Sequence, residues 1–300
     1  MICLRRKIIP HGPSSLTVSL PSAWVKLHNL KKGQELDISE EENHLLIKPI
    51  SAGNNSKNAE ISLSGLGPET WKDMLLALHK KGYDEIKING SQNIVKELHA
   101  YLSSMQLGFE IIKQELDSIL IRNISNPNAE EFDTLFRRIL WISLEYSNKI
   151  KAIINSREDI TNSCLLHETS ITRISNYCKR IIVKEKRTNS CFLYSILKEI
   201  NTIVHSLTAL LAELKEIDEP VSKIFIAAYH ETDEMISKIY DLYYKFSLND
   251  YVMAKKNLVS MKKQITQTKS KESNSGYWDH LDSINNSTFS LLESMLLVHY

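Results

Sequence analysis

The chemistry that stands out in this chain lies at its start. Arg5, Arg6, Lys7, Lys26, Lys31 and Lys32 all precede the first acidic residue, Glu35, so residues 1–34 carry six positive charges against none. Cations at this density suit a polyanion, because each phosphate contact releases a condensed counterion. The competing reading is a solvated basic edge. Elsewhere the reactive residue types do not assemble into a catalytic set. His167-Glu168 and His230-Glu231 are adjacent pairs, but neither belongs to an H-E-x-x-H run. A hydrogen-bonded or solvent-facing imidazole is the ordinary reading of each. Gly65-x-Gly67 follows a strand-like run, yet Thr70 holds the third glycine position and the strand ending at Asn89 lacks the ribose-binding acid. That spacing predicts a tight turn rather than a nucleotide cradle. No Ser/His/Asp, Cys/His or P-loop arrangement has usable spacing, so no enzyme is expected.

The elements that must position these residues fall into two halves. Of 9 Gly and 7 Pro, all but Pro220 and Gly276 lie at or before Pro127. A long stretch so poor in turn residues predicts helix, whereas the first 127 residues must be broken into short elements. Hydrophobic residues at 42%, charged residues at 24% and a net charge of +1 exclude a wholly disordered chain and a uniformly basic coat. Cys3, Cys164, Cys178 and Cys191 form no C-x-x-C pair, which fits reduced thiols. No apolar run approaches the roughly 20 residues that span a bilayer, and no apolar core follows the N-terminal charges as in a secretory signal. A cytoplasmic protein without membrane insertion is expected.

Within the first fifty residues, Leu4 to Ile9, Leu16 to Leu20, Glu35 to Ser39 and His44 to Lys48 read as strands, and Ser22 to His28 as a short helix after Pro21. This β-β-α-β-β unit is too small to close a core alone and carries no disulfide or metal-ligand spacing. A homodimer is therefore expected. Two copies would double the basic patch in a two-fold arrangement suited to duplex DNA.

Arg6-Lys7, Gly12-Pro13-Ser14-Ser15-Leu16, Val18-Ser19-Leu20-Pro21, Trp24-Val25, Leu30-Lys31-Lys32-Gly33-Gln34 and Leu45-Leu46-Ile47 together resemble the AbrB/SpoVT/MazE swapped-hairpin DNA-binding domain over residues 1–50. The resemblance implies an intertwined dimeric β-barrel that docks on DNA. Carried onto matching positions, it makes Arg5, Arg6, Lys7, Ser14, Ser15, Lys31 and Lys32 the candidate contacts. Arg5 or Arg6 would be the side chain able to read a guanine edge.

Residues 51–58 are small, polar and aperiodic, which predicts a linker. Residues 59–126 then read as a small β-α-β-α-β-β domain, with Gly82 capping its first helix and Ser91 its second. Its expected role is to space or dimerise the flanking domains. From residue 127 to 300, apolar residues repeat at three and four. Leu193, Ile196, Ile200, Ile203, Leu207, Leu210 and Leu214 form one such stripe. Polar interruptions near Ser156, Thr188, Glu219-Pro220, Asn249 and Ser270 to Gly276 divide the half into six helices, or two three-helix repeats at about 128–216 and 219–300. The whole is a multidomain α+β chain.

An AbrB-like domain ahead of six helices resembles an archaeal-type PhoU family regulator from end to end. That family's two repeats carry acidic pairs that bind divalent or iron-type metals, and the resemblance implies a role in phosphate uptake. Here the pairs are degenerate. Glu168 is followed by Thr172, Asn201 by His205, Lys256 by Ser260, and Asp282 by Asn286. Glu168, His205 and Asp282 are what remains of a metal-ligand set. The family also implies a phosphate ABC transporter or a signalling protein as partner of the helical half.

Overall fold

The computed structural model describes residues 4–13, 15–41, 44–49, 56–90, 94–125, 129–156, 161–185, 187, 189–217, 221–271 and 276–299. The chain divides into two compact units, residues 1–55 and 56–300.

In the first unit, β1 (Ile8–His11) pairs antiparallel with β2 (Ser15–Val18), and β3 (Leu36–Glu41) pairs antiparallel with β4 (His44–Pro49). The short helix α1 (Ser22–Leu27) lies between the hairpins in sequence. Register places Ile8 opposite Val18 and Pro10 opposite Leu16, so one face of the first hairpin is wholly apolar. In the second hairpin Leu36 faces Pro49 and Ile38 faces Ile47. The two hairpins are separate two-stranded sheets. The first strand begins at Ile8 rather than Leu4. With Ile8 opposite Val18, residues 5–7 would have to pair with residues 19–21, and Pro21 has no N–H to give a ladder. Not one described residue of this unit is buried.

The second unit opens with β5 (Asn58–Ser62), α2 (Pro68–Lys80), β6 (Glu85–Asn89), α3 (Val95–Met105), β7 (Phe109–Gln114) and β8 (Ser118–Asn123). The expected linker therefore ends earlier than residue 58. Asn58 already pairs with Glu85, and Lys57 exchanges hydrogen bonds with Asp84. Residues 51–55, like Ser91, lie outside the described residues. The sheet runs β5-β6-β8-β7, with β5 parallel to β6 and the other pairs antiparallel. Parallel pairing of β5 and β6 requires a crossover, which α2 supplies. Pro68 pre-sets the first turn of α2, and Gly82, at φ +80°, ends it by donating its N–H to the His79 carbonyl. Trp71, Leu75, Leu98 and Leu102 from the helices close over Ile86, Ile88, Ile119 and Ile121 from the sheet. Each such side chain contributes about 1.5–3 kcal/mol on burial.

Six helices follow: α4 (Ala129–Ser156), α5 (Thr161–Glu185), α6 (Ser190–Glu216), α7 (Lys223–Tyr244), α8 (Leu248–Lys269) and α9 (Gly276–His299). Gly276 opens the last helix instead of sitting in the loop before it. Pro220, expected as the joint between repeats, lies outside the described residues. Ser222 and Ser247 cap α7 and α8 by accepting the N–H of Phe225 and Asp250. Helices α4, α5 and α6 pack on one another, as do α7, α8 and α9, and the triplets meet through α6 on α9 and α4 on α7. The α6–α9 seam is close and small-residue in part, with Ser195 on Ser294 and Ser206 on Ser283 at 3.2 and 2.9 Å. Across α4 and α7, buried Asp233 accepts from the Ser147 hydroxyl at 2.7 Å and from Lys151 at 2.9 Å. No described helix is long and apolar enough to cross a membrane.

The α/β segment is not a free spacer. One face of α5 holds it by its helix ends. Arg173 donates to the Ser103 carbonyl and Asn176 to that of Met105, at the C-terminus of α3. Arg180 donates to the carbonyls of His79 and Tyr83 at the end of α2, and to Asp84 at 2.6 Å. Lys184 adds a second cation on Asp84 at 2.5 Å. Cations and amide donors thus gather on carbonyls at and just beyond the negative ends of two helices.

Candidate nucleic-acid interface

Arg5, Arg6 and Lys7 lie in the exposed, irregular segment that leads directly into β1. Ser15 opens β2 opposite His11, just past a turn in which Gly12 adopts φ +77°. Ser14 lies outside the described residues. Lys31 and Lys32 occupy the turn before β3. There the Lys31 N–H donates to the Gln34 side chain at 3.1 Å, the Gln34 N–H returns to the Lys31 carbonyl, and Gly33 takes φ +83°. The turn is thereby locked while both ammonium groups remain exposed. No ion pair engages Arg5, Arg6, Lys7, Lys31 or Lys32 among the described residues. Five cations without intramolecular partners, held on turns and strand leads, are available to phosphate oxygens.

The same unit exposes apolar area that a lone small domain cannot justify. Ile8, Leu16, Ile38 and Leu45 are 63–70% exposed. Ile8 and Leu16 fall on the apolar face of the first hairpin, Ile38 pairs with Ile47 in the second, and Leu45 stands opposite Glu40, with the exposed Leu27 of α1 adding to the total. Contiguous exposed apolar faces mark an interaction surface.

The candidate metal ligands of the helical half come together only in part. Glu168 on α5 and His205 on α6 do meet, with Nδ1 of His205 2.5 Å from the carboxylate. The Glu168 carboxylate raises the imidazole above its ordinary pKa, and the His205 hydrogen bond lowers that of Glu168. The pair occupies Nδ1 of the imidazole and one oxygen of the carboxylate. Asp282 does not join them. Its Oδ1 is buried without a hydrogen-bond partner, and its companion Asn286 is taken by Lys262 at 2.8 Å. Among the described residues no group of three or more His, Cys, Asp or Glu side chains is gathered to hold a metal. The residues present do not fit the family's metal cluster. His167 and His230 have protein neighbours instead, Lys149 and Asn155 respectively, each at 3.2 Å.

What the sequence reading missed is on α5. Every residue from Ile174 to Ile182 is buried, so this stretch has no solvent face, yet it contains Asn176, Lys179 and Arg180. The signal was there: Arg173, Asn176, Arg180 and Lys184 recur at three and four between apolar residues on the remaining faces.

Compared with known proteins, no curated protein and no solved structure matches this chain. Residues 12–55 match the family described as Antidote-toxin recognition MazE, bacterial antitoxin, and this match falls on the unit that bears the free cations and the uncovered hairpins.

Proposed function

We propose that the chain is a non-enzymatic, DNA-binding transcriptional regulator. Two copies of the N-terminal unit close over each other through their apolar hairpin faces and present Arg5, Arg6, Lys7, Lys31 and Lys32 to a duplex. The observation that carries this reading is the MazE match over residues 12–55, on a unit with six cations ahead of its first acid and no buried residue described. Residues 56–300 serve as the signal-receiving or partner-docking part. The resemblance of the helical half to PhoU-type regulators is the ground for assigning the signal to phosphate uptake.

The test is the Arg5→Ala, Arg6→Ala, Lys7→Ala triple variant in equilibrium duplex binding. These side chains are exposed and make no ion pair among the described residues, so folding survives. The variant binds duplex at least tenfold more weakly, and its log–log salt slope flattens by about three per protomer. Unchanged affinity and slope would refute the reading.

The matched family's description, antidote-toxin recognition, favours one second reading: the exposed hairpin faces hold a protein partner. In a related form the helical half is an adaptor for a phosphate transporter or sensor kinase and the N-terminal unit only dimerises. Retention of a protein partner by a chain that binds no duplex would select these readings.

A further inference from the structure

Helix α8 turns outward a face that its own bundle leaves unused. Its 22 residues hold five lysines, Lys255, Lys256, Lys262, Lys263 and Lys269, against one acid, Asp250. The lysines sort by heptad spacing. Lys255, Lys262 and Lys269 turn to α9, where they meet Glu293 at 3.4 Å, the Asn286 side-chain oxygen at 2.8 Å and Asp279. Lys256 and Lys263, each one residue further on, are exposed and make no ion pair or hydrogen bond among the described residues.

The two unpaired lysines share their stripe with apolar residues. Leu248, Val252, Lys256, Val259 and Lys263 are spaced at three and four, which places them along one line of the helix surface. Leu248, Val252 and Val259 are 41–51% exposed. Beside this line, between α8 and α9, lies a groove of about 680 Å³. Leu258, Val259 and Phe289 give it an apolar lining, Lys262 and Lys263 bring positive charge, and no carboxylate lines it among the described residues. Aliphatic side chains left in water beside such a groove mark an interaction surface.

We propose that the outward face of α8, together with the α8–α9 groove, docks an acidic amphipathic helix of a partner protein. Apolar residues of that helix fill the groove over Leu258, Val259 and Phe289, and its carboxylates meet Lys256 and Lys263. The stripe disfavours other anionic surfaces. A helix that lies on a bilayer separates its cations from its apolar face. Here valine and lysine alternate along a single line, so sinking Val252 and Val259 into lipid would sink the ammonium groups of Lys256 and Lys263 with them. A nucleic-acid backbone satisfies the two lysines but leaves Leu248, Val252 and Val259 in water. Carboxylates interleaved with apolar side chains answer both. This inference rests on the partner-docking role of residues 56–300 and gives that role a place; it does not depend on DNA binding by the N-terminal unit.

Photo-crosslinking of the full chain in its native cells tests it, with a benzophenone side chain in place of Val259. Irradiation yields an adduct with a different protein, and sequencing of the joined peptide finds a segment of net negative charge with apolar residues at three-and-four spacing. Lys256→Glu with Lys263→Glu lowers the adduct yield about tenfold, whereas Lys256→Arg with Lys263→Arg keeps it. Both lysines are exposed and unpaired, so the variants unfold at the parent's midpoint. Should the Glu pair unfold lower, Lys256→Gln with Lys263→Gln carries the same comparison. The docking site is overturned by the absence of an adduct, by an adduct with lipid, nucleic acid or a second copy of this chain, by a joined peptide without acidic residues, or by a yield that ignores the charge reversal. Duplex binding is measured alongside and is equal in parent and variants. Loss of the docking site with duplex binding intact therefore leaves the regulator reading standing, and a parent that binds no duplex refutes that reading without touching the adduct.

Discussion

Asp84 and His79 occupy neighbouring positions at the end of α2 and respond to pH over different ranges. His79 is fully buried, its Nε2 3.2 Å from the Leu107 carbonyl and its ring edge-on to Phe109. Burial, with Arg180 beside it, drops its pKa from 6.5 to about 3, against the Leu107 hydrogen bond. The ring stays neutral in the fold while the unfolded chain takes up a proton below 6.5. Its contribution is therefore complete above pH 6.5 and is lost as pH falls toward 3. Unfolding free energies of the parent and of His79→Phe, measured from pH 7 to 4, should show a shallower acid loss in the variant; parallel curves would remove His79 from the account. Asp84 loses by burial but gains more from Lys184, the Lys57 N–H and Arg180, and its carboxyl sits below the ordinary range. Its stabilisation is present above about pH 4 and disappears only as pH falls through the lowered folded value. Asp84→Ala strands the fully buried Arg180 and should cost about 3 kcal/mol in denaturant unfolding. A loss below about 0.5 kcal/mol, the size of an exposed pair, would contradict the geometry. Charge alone singled out Arg5, Arg6 and Lys7 as candidates. Lys179 and Arg180 were not, because a Lys-Arg pair in a helix ordinarily reads as a solvated face. Only the burial of every residue around them reverses that.

Each helix of the C-terminal half was legible because a three-and-four stripe of apolar residues and a scarcity of breakers leave no alternative to helix. The observed breaks at Ser156, at Ser247 before Leu248 and at Gly276 fall within a few residues of the polar interruptions. The strands of the middle sheet were equally plain, since Ile86 and Ile88 alternate inward. Strand β1 was misplaced by four residues because its extent depends on the partner strand, which a local pattern does not contain. The hairpins of the first unit make the sharpest prediction at this scale. Ile38 pairs with Ile47 on an apolar face and is 63% exposed in the single chain. If a second copy covers this face, Ile38→Asp should halve the mass in sedimentation equilibrium while leaving residues 56–300 folded. A dimer of unchanged stability would mean that the face is covered by something else.

Across the whole molecule, a net charge of +1 conceals an N-terminal segment with six cations and no acid. The partition into differently built parts was readable from where Gly and Pro stop. The docking of residues 56–125 on α5 was not, since the recurrence of Arg173, Asn176, Arg180 and Lys184 marks a polar face of α5 but does not name the carbonyls, seventy or more residues away, that it meets. The resulting molecule joins a small basic unit, incomplete by itself, to a large unit with two hydrophobic cores. The most direct test is equilibrium binding of the unaltered full chain to duplex DNA across a salt series, with stoichiometry measured at the low-salt end. Two chains per duplex and a log–log slope steeper than about −5 are predicted from five free cations on each of two protomers. Binding that is absent at low salt, or insensitive to salt, would contradict the assignment of the N-terminal unit to DNA.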